Sequence, residues 1–214
     1  MKSFYKSGLV YILLLLSFGL QSQVTAQWRG NDRKRIYDEK NLLKKWPQAG
    51  PQLFWKIDEI GNGYGSPAVT TDRIYITGEI DSIAYLFCLD HNGKIVWRTG
   101  FGKEWTKTFP GSRSTPTVDG KFVYATSGMG NMACFDAVTG MRRWYVDNKK
   151  NFHGRYIMHG HSESPLIDGD KVFLVPGGRD TNVVALDKLT GNLLGICKGK
   201  GERSAYNSPI LVKL

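Results

Sequence analysis

A short segment recurs three times along this chain and begins a fourth time. The copies span residues 66–78, 115–128 and 164–177, and the fourth begins at Ser208. Each copy opens with a serine or threonine followed by a proline, and the first two intervals between these prolines are both 49 residues. Such a period, built from short alternating strands and turn signals, is typical of a β-propeller.

The second copy predicts four antiparallel strands within one unit. Thr115–Val118 and Phe122–Ser127 have strand patterns and are joined by an Asp-Gly turn. A third strand covers Met132–Phe135, and a turn ending at Gly140 leads into a fourth strand that carries Trp144. We therefore predict an all-β chain, a partial β-propeller of four-stranded antiparallel blades with three blades and the first strand of a fourth. Propellers close with ~4–8 blades, so we expect the chain to be incomplete.

The first 26 residues predict a secretory signal peptide. Lys2 and Lys6 precede a 12-residue apolar run, and small residues follow it. The run is shorter than the ~20 residues that cross a bilayer, so we expect no transmembrane span after cleavage. The expected location is the periplasm or cell envelope. The predicted division is a signal peptide at 1–26, an N-terminal segment with an orphan outer strand at 27–58, and propeller blades at 59–214, with bounds of about 59–104, 105–152, 153–200 and a start at 205–214.

The net charge of +10 is spread along the chain. Its densest cluster is at 33–35, with lysine pairs at 44–45 and 149–150. Nucleic-acid binders usually concentrate positive charge on one face. We therefore expect a solvated basic surface and no nucleic-acid partner.

The cysteines predict buried thiols instead of a disulfide framework. Cys88 and Cys134 occupy equivalent positions in successive repeats. Packed sheets lie ~10 Å apart, whereas a disulfide needs Cα atoms within ~4.4–6.8 Å. Both are therefore expected to be small buried side chains, and Cys197 has no evident partner in the sequence.

The end of each repeat carries a second pattern, in which an aspartate begins a turn; a tryptophan follows in the last strand of the first two copies, where the third copy has Gly195. The second copy shows it as Cys134, Asp136, Thr139, Gly140 and Trp144. This pattern resembles the pyrroloquinoline quinone (PQQ) repeat of quinoprotein-like β-propellers. The resemblance implies that each tryptophan docks on the turn of the neighbouring blade. The docking residues that it implies are Trp55, Trp97, Trp144, Asp90, Asp136, Asp187, Gly140 and Gly191.

The family that this repeat resembles contains enzymes and non-catalytic scaffolds, so the fold leaves the function open. Some members are PQQ- and calcium-dependent alcohol or sugar dehydrogenases, and others are similar to the outer-membrane protein assembly lipoprotein, which binds partners. The vicinal cysteine pair of the dehydrogenases is absent from this sequence, and the catalytic base and calcium ligands cannot be assigned to any position. The resemblance favours a binding or scaffold module. A fragment of a PQQ- and calcium-dependent dehydrogenase is the alternative.

Residues just ahead of each repeated proline are the candidate ligand site. The first strand of a propeller blade lies innermost, so these residues should line one mouth of the central channel. They differ between otherwise similar repeats, which suits a binding site, although polar residues around channel water would look the same. The expected partner is an envelope protein or a small molecule such as a sugar. The candidates are Tyr64, Arg113, Ser114, His161, Glu163, Tyr206 and Asn207.

One stretch has the composition of a metal site and contains His153, His159, His161 and Glu163. The last three would share one face of a strand. The glycines between them instead favour a loop at the channel mouth, and no second cluster completes a tetrahedral set. We predict no metal site here.

Two aromatic residues, Trp105 and Phe109, lie in the loop after the first blade. Aromatic rings in such a loop suit a stacking platform for a planar or sugar ligand. The competing interpretation is that they fill a gap between blades.

Overall fold

The protein forms three four-stranded antiparallel sheets, each with its strands in sequence order. The computed structural model describes residues 26–30, 33, 34, 36, 37 and 39–212. Apart from Ala26, the predicted signal peptide lies outside these residues. Over the stretches that are described, no helix has the length and apolar character that a bilayer crossing requires.

The strands fall in three consecutive groups. The first sheet contains β1 (Ala68–Val69), β2 (Ile74–Ile80), β3 (Ile83–Leu89) and β4 (Ile95–Lys103). The second contains β5 (Thr117–Asp119), β6 (Phe122–Thr126), β7 (Met132–Asp136) and β8 (Arg142–Val146). The third contains β9 (Leu166–Asp168), β10 (Lys171–Leu174), β11 (Val183–Asp187) and β12 (Leu193–Cys197). The predicted all-β fold of four-stranded blades is confirmed.

One short helix, α1 (Asn148–Phe152), was not expected from the repeat pattern. Asp147 caps its N-terminus, because the Asp147 side chain accepts a hydrogen bond of 2.8 Å from the Lys150 N–H. The helix ends at His153, which has a left-handed backbone with a φ of 53°. It places Asn148 and Phe152 in buried positions behind the second and third sheets.

The sheets pack face to face in chain order through two apolar layers. One layer joins the first and second sheets around Leu86, Phe101 and Phe135. The other joins the second and third sheets around Met132 and Leu186, with further aliphatic side chains from β10 and β11. Packing of successive sheets in this way is the arrangement of neighbouring propeller blades.

A repeated row of three side chains crosses the face that each of the first two sheets turns towards the next. Antiparallel pairing places Tyr75 beside Cys88 and Cys88 beside Trp97 in the first sheet. The second sheet has the same row, Tyr124–Cys134–Trp144. In the third sheet the row is Phe173–Ala185–Gly195, and a Cβ at Gly195 would meet no atom within 4 Å. The third sheet therefore lacks the large row that seals the other two junctions.

The serine or threonine that opens each repeat ties neighbouring blades together. The Ser66 N–H donates to Thr115 Oγ1 (3.2 Å), and the Thr115 N–H donates to Ser164 Oγ (3.0 Å). The Ser164 N–H continues the series to Ser208 Oγ (2.7 Å). A hydroxyl is needed at Thr115, Ser164 and Ser208 because each of these accepts a hydrogen bond from the preceding repeat.

Two expected strands are not formed within the described residues. The orphan outer strand predicted around Trp55 has no strand pairing at 53–57, because no neighbouring strand lies beside it. The strand predicted to open a fourth blade has no strand assignment at 208–212, and residues 213–214 are outside the described part. Both segments keep one expected contact, since Trp55 reaches the first sheet and Ser208 accepts the hydrogen bond from Ser164.

Candidate functional site

Four residues from equivalent repeat positions converge at one end of the sheets. Each lies three places before a repeated proline, and together with two residues of the connecting loops they surround a depression of about 400 Å³. We call this depression the mouth bowl, and its residues are Tyr64, Phe109, Arg113, His159, Ser162 and Tyr206. Three of the predicted ligand residues, Tyr64, Arg113 and Tyr206, lie in it.

The rim of the mouth bowl is aromatic and open to solvent. Tyr64, Phe109 and Tyr206 are 63%, 65% and 54% exposed. The His159 ring joins two of them, with ring centroids 5.5 Å from Phe109 and 5.9 Å from Tyr206. The Tyr206 hydroxyl accepts a hydrogen bond of 3.1 Å from the His159 N–H. Large exposed aromatic rings held in this way are typical of binding surfaces.

Arg113 fixes the shape of the bowl through three of its five hydrogen-bond donors. Its guanidinium donates to the backbone carbonyls of Thr108 (3.1 Å), Phe109 and Gly111 (2.6 Å). These bonds hold the loop in which Phe109 adopts a left-handed φ of 48°. A bulky residue rarely adopts that conformation, which costs ~1–3 kcal/mol. The guanidinium carbon also lies 5.4 Å from the centre of the Tyr64 ring.

The floor of the bowl and the buried residue next to it in the chain have polar atoms without partners among the described residues. Ser162 Oγ is buried and has no hydrogen-bond partner among the described residues. Immediately after it in the chain, Glu163 is fully buried; its Oε2 accepts a hydrogen bond of 3.0 Å from the Val175 N–H, and its Oε1 has no partner among the described residues. Burial raises the pKa of Glu163 to about 8, against the opposing effects of that hydrogen bond and the charge of Arg33.

Four predicted ligand residues do not line the bowl. Ser114, His161 and Glu163 are buried, because the residues on either side of the lining position in the chain point into the packed interior. Asn207 is exposed but lies outside the depression. The residues that sequence reasoning grouped together thus divide into an open rim and a buried polar layer.

The buried layer is closely packed around His161. Asn148 Nδ2 lies 3.4 Å from His161 Nε2, and a Cβ at Gly130 would lie 2.5 Å from Asn148 Nδ2 and 2.9 Å from His161 Cδ2. Burial lowers the pKa of His161 to about 4. The imidazole is therefore neutral at pH 7, and Gly130 is required because the approach leaves no room for a side chain.

The sequence alone did not identify two further functional candidates, Glu104 and Arg33. Glu104 is buried, and its carboxylate accepts hydrogen bonds from Trp105 N–H (2.8 Å), Ser112 Oγ (2.7 Å) and Gly128 N–H. Burial raises the pKa of Glu104 to about 7 despite these bonds. The carboxyl thus fastens the loop after the first sheet to the second sheet. No repeat motif marks it, because the other repeats have no equivalent carboxyl.

Arg33 enters the interior from the N-terminal segment. Its guanidinium donates to the backbone carbonyls of Pro165 and Pro209 (3.0 Å) and to the side chain of Gln27 (2.9 Å). It therefore lies between the starts of two successive repeats, near Glu163. Sequence reasoning assigned this arginine to a solvated basic cluster; the structure instead places it in a buried position.

The predicted docking residues occupy equivalent places at each junction. A Cβ at Gly93, Gly140 or Gly191 would lie 2.6, 2.5 and 2.8 Å from the indoles of Trp55, Trp97 and Trp144. The turn aspartates Asp90, Asp136 and Asp187 each accept backbone N–H bonds of 2.8–3.1 Å within their turns.

Nowhere in the described ranges do three or more His, Cys, Asp or Glu side chains gather so that they could hold a metal ion, whereas calcium takes ~6–8 oxygen ligands. Cys88 and Cys134 are buried and unpaired in the sheet junctions, and Cys197 is exposed on β12. None of these thiols lies at the mouth bowl.

The sheets, their sealed junctions and the aspartate turns define a PQQ-like β-propeller repeat protein. A family model described as outer membrane protein assembly factor BamB matches residues 39–198. The chain belongs to this family. No curated protein matches it.

Solved structures with a similar fold come from several kinds of protein. Quinohemoprotein alcohol dehydrogenase ADHIIG from Pseudomonas putida HK5 is 22% identical, with a TM-score of 0.47, over 65% of this chain and 21% of that one. BamB from Moraxella catarrhalis is 21% identical, with a TM-score of 0.47, over 72% and 42%. The computationally designed Ika8 protein is 14% identical, with a TM-score of 0.46, over 69% and 39%. The chain thus spans less than half the length of each.

Proposed function

We propose that this protein is an exported binding or scaffold module of the periplasm or cell envelope, and that the mouth bowl is its recognition surface. The observation that carries the proposal is the convergence of Tyr64, Arg113, Ser162 and Tyr206 from one repeat position into a single depression. A rigid repeated frame that differs at this position is suited to recognition.

The chemistry of the bowl supports binding. Its rim carries exposed aromatic rings, which provide a large contact area with few torsions to immobilise. Arg113 and the aromatic contacts of His159 hold the rim in place before any ligand arrives. Preorganisation of this kind lowers the entropic cost of association.

Photo-crosslinking in intact cells tests the proposal. A benzoylphenylalanine is introduced at Tyr64 or Tyr206, and as a matched control at the exposed Val138 on the turn side of the second sheet. We expect one envelope component to crosslink from both mouth positions and not from Val138. Equal labelling from all three positions, or none from the mouth, would contradict a recognition role for the bowl.

The competing function, a PQQ- and calcium-dependent dehydrogenase, predicts a different result. The full-length protein is supplied with PQQ and calcium, and dye-linked oxidation of alcohols and sugars is measured. Turnover that disappears when calcium is removed would show that the protein is such an enzyme and would contradict the proposed binding function. We expect no such turnover.

A further inference from the structure

We infer that the mouth bowl binds an uncharged saccharide ring, an inference that rests on the recognition role proposed above. The bowl combines three features that suit such a ring: aromatic faces, a buried hydroxyl at its floor, and a lining without an acidic side chain that would favour a cationic ligand. Each feature is carried by different residues.

The aromatic rim matches the apolar side of a sugar. Saccharide rings present C–H groups on their faces and hydroxyls on their edges, so a face can pack on an aromatic ring while the edges stay hydrated or hydrogen-bonded. Tyr64, Phe109 and Tyr206 are more than half exposed around one depression. A volume of about 400 Å³ lies within the range of small-ligand sites, ~300–1,000 Å³.

The floor of the bowl provides a hydroxyl group that can still form hydrogen bonds. Ser162 Oγ is buried and lacks a partner among the described residues, although its hydroxyl can both donate and accept. A buried hydroxyl without a partner is destabilising, and a ligand hydroxyl placed in the bowl would remove that penalty. A planar hydrocarbon ligand would leave it in place.

The charge pattern favours an uncharged ligand. Arg113 of the bowl directs three of its five N–H donors, among them both of Nη2, to the carbonyls of Thr108, Phe109 and Gly111. A carboxylate or phosphate ligand would have to break these bonds to form a bidentate pair. The hydroxyl groups of a sugar can bind without breaking these bonds.

Calorimetric titration of the full chain with chitotriose, maltotriose and cellotriose tests the inference. We expect at least one of them to bind, with Tyr64→Ala and Tyr206→Ala each weakening the affinity ~10-fold or more, as aromatic anchors do. Tyr64→Phe keeps the ring face and should stay within ~3-fold. Val138→Ser at the other end of the sheets is the control that should leave the affinity unchanged.

Three results would overturn the saccharide inference. They are failure of all three trisaccharides to bind, binding that Tyr64→Ala and Tyr206→Ala leave unchanged, and tight binding of 1,4-naphthoquinone at the bowl while the sugars are ignored. The circular dichroism melting curve of each variant separates lost binding from lost folding. If the sugars fail while the mouth positions still crosslink to one envelope component, the proposed recognition role stands and only the ligand class is wrong.

Discussion

Trp97 lies against Gly140 of the next blade, so closely that a Cβ on this glycine would be 2.5 Å from the indole Cδ2. Carbon atoms in contact are normally ~3.5–4.0 Å apart, so no side chain fits. The indole N–H donates to the Ala137 carbonyl (3.3 Å), and the Tyr75 hydroxyl donates to the same carbonyl (3.1 Å). In the next junction, Trp144 and Tyr124 donate to the Lys188 carbonyl at 2.9 and 3.0 Å.

Replacing Trp144 with alanine should weaken folding strongly. The side chain is buried between the second and third sheets, and truncation of such a residue typically costs ~3–5 kcal/mol. Trp46, which is 64% exposed, provides the matched control, and Trp46→Ala should change the free energy of unfolding by less than ~0.5 kcal/mol. Urea denaturation measures both. Similar losses in the two variants would contradict the docking described here.

Alanine substitutions at Gly140 and Gly169 distinguish the cost of a steric clash from the cost of backbone strain. Both have left-handed backbones, with φ of 72° and 58°, but a Cβ at Gly169 would meet nothing within 4 Å. Gly169→Ala should therefore lose only the ~1–2 kcal/mol of the left-handed conformation. Gly140→Ala should lose ~1–3 kcal/mol more, because it also forces the indole away. Equal losses in thermal denaturation would show that the tryptophan accommodates the methyl group.

The stability of the protein should fall as the pH rises towards 8. Burial raises the pKa of Glu163 from its ordinary 4.5 to about 8, so the folded state binds more protons than the unfolded state in that window. Stability therefore decreases with pH in this window, most clearly above pH ~6.5, where the opposing contribution of His161, whose pKa burial lowers to about 4, has ended. Glu163→Gln should remove part of this slope, most clearly above pH 7, because burial raises the pKa of Glu104 only to about 7.

Urea midpoints at pH 5, 6, 7 and 8 check the pH prediction. The exposed Glu59→Gln is the control and should follow the wild-type curve. A slope that survives unchanged in Glu163→Gln would assign the pH dependence to other groups.

Replacing Arg113 with lysine should open the loop that carries Phe109. Arg113→Lys cannot reproduce the three bonds to the Thr108, Phe109 and Gly111 carbonyls, because an ammonium lacks the planar fork. Released from them, Phe109 should leave its left-handed conformation, and trypsin should cut after the exposed Lys107 in the same loop several times faster. Arg98→Lys controls for general effects. Unchanged cleavage would mean that other contacts hold the loop.

The thiols should differ sharply in reactivity. Burial raises the pKa of Cys88 to about 11 and of Cys134 to about 12, whereas Cys197 is exposed. Because the thiolate is the reactive form, Ellman's reagent should titrate one thiol per native chain and three after denaturation. More than one fast-reacting native thiol would show that the sheet junctions open readily.

The repeat register alone predicted much of the fold and part of the candidate site. It predicted the four-stranded units, and counting back from the prolines selected Tyr64, Arg113 and Tyr206, which lie together in the bowl. Those features follow from local patterns that recur. The split between rim and buried layer did not follow, because His161 and Glu163 are turned inwards by loops whose course the period does not specify.

The remaining features depend on contacts between distant parts of the chain. Arg33 binds the carbonyls of Pro165 and Pro209, and nothing in its basic neighbourhood indicates a buried position. The strand expected around Trp55 needs a neighbouring strand to pair with, and sequence pattern cannot reveal that none lies beside it. Helix α1 interrupts the strand pattern because Asp147 supplies a cap.

The hydroxyl series from Ser66 through Thr115 and Ser164 to Ser208 bears on how such chains evolve. Every link uses the same donor and the same acceptor, so a unit copied in tandem would meet both of its new neighbours through contacts already in place. Recombination could then lengthen or shorten the array without inventing an interface. Change in the ligand surface would be left to a few residues ahead of each proline.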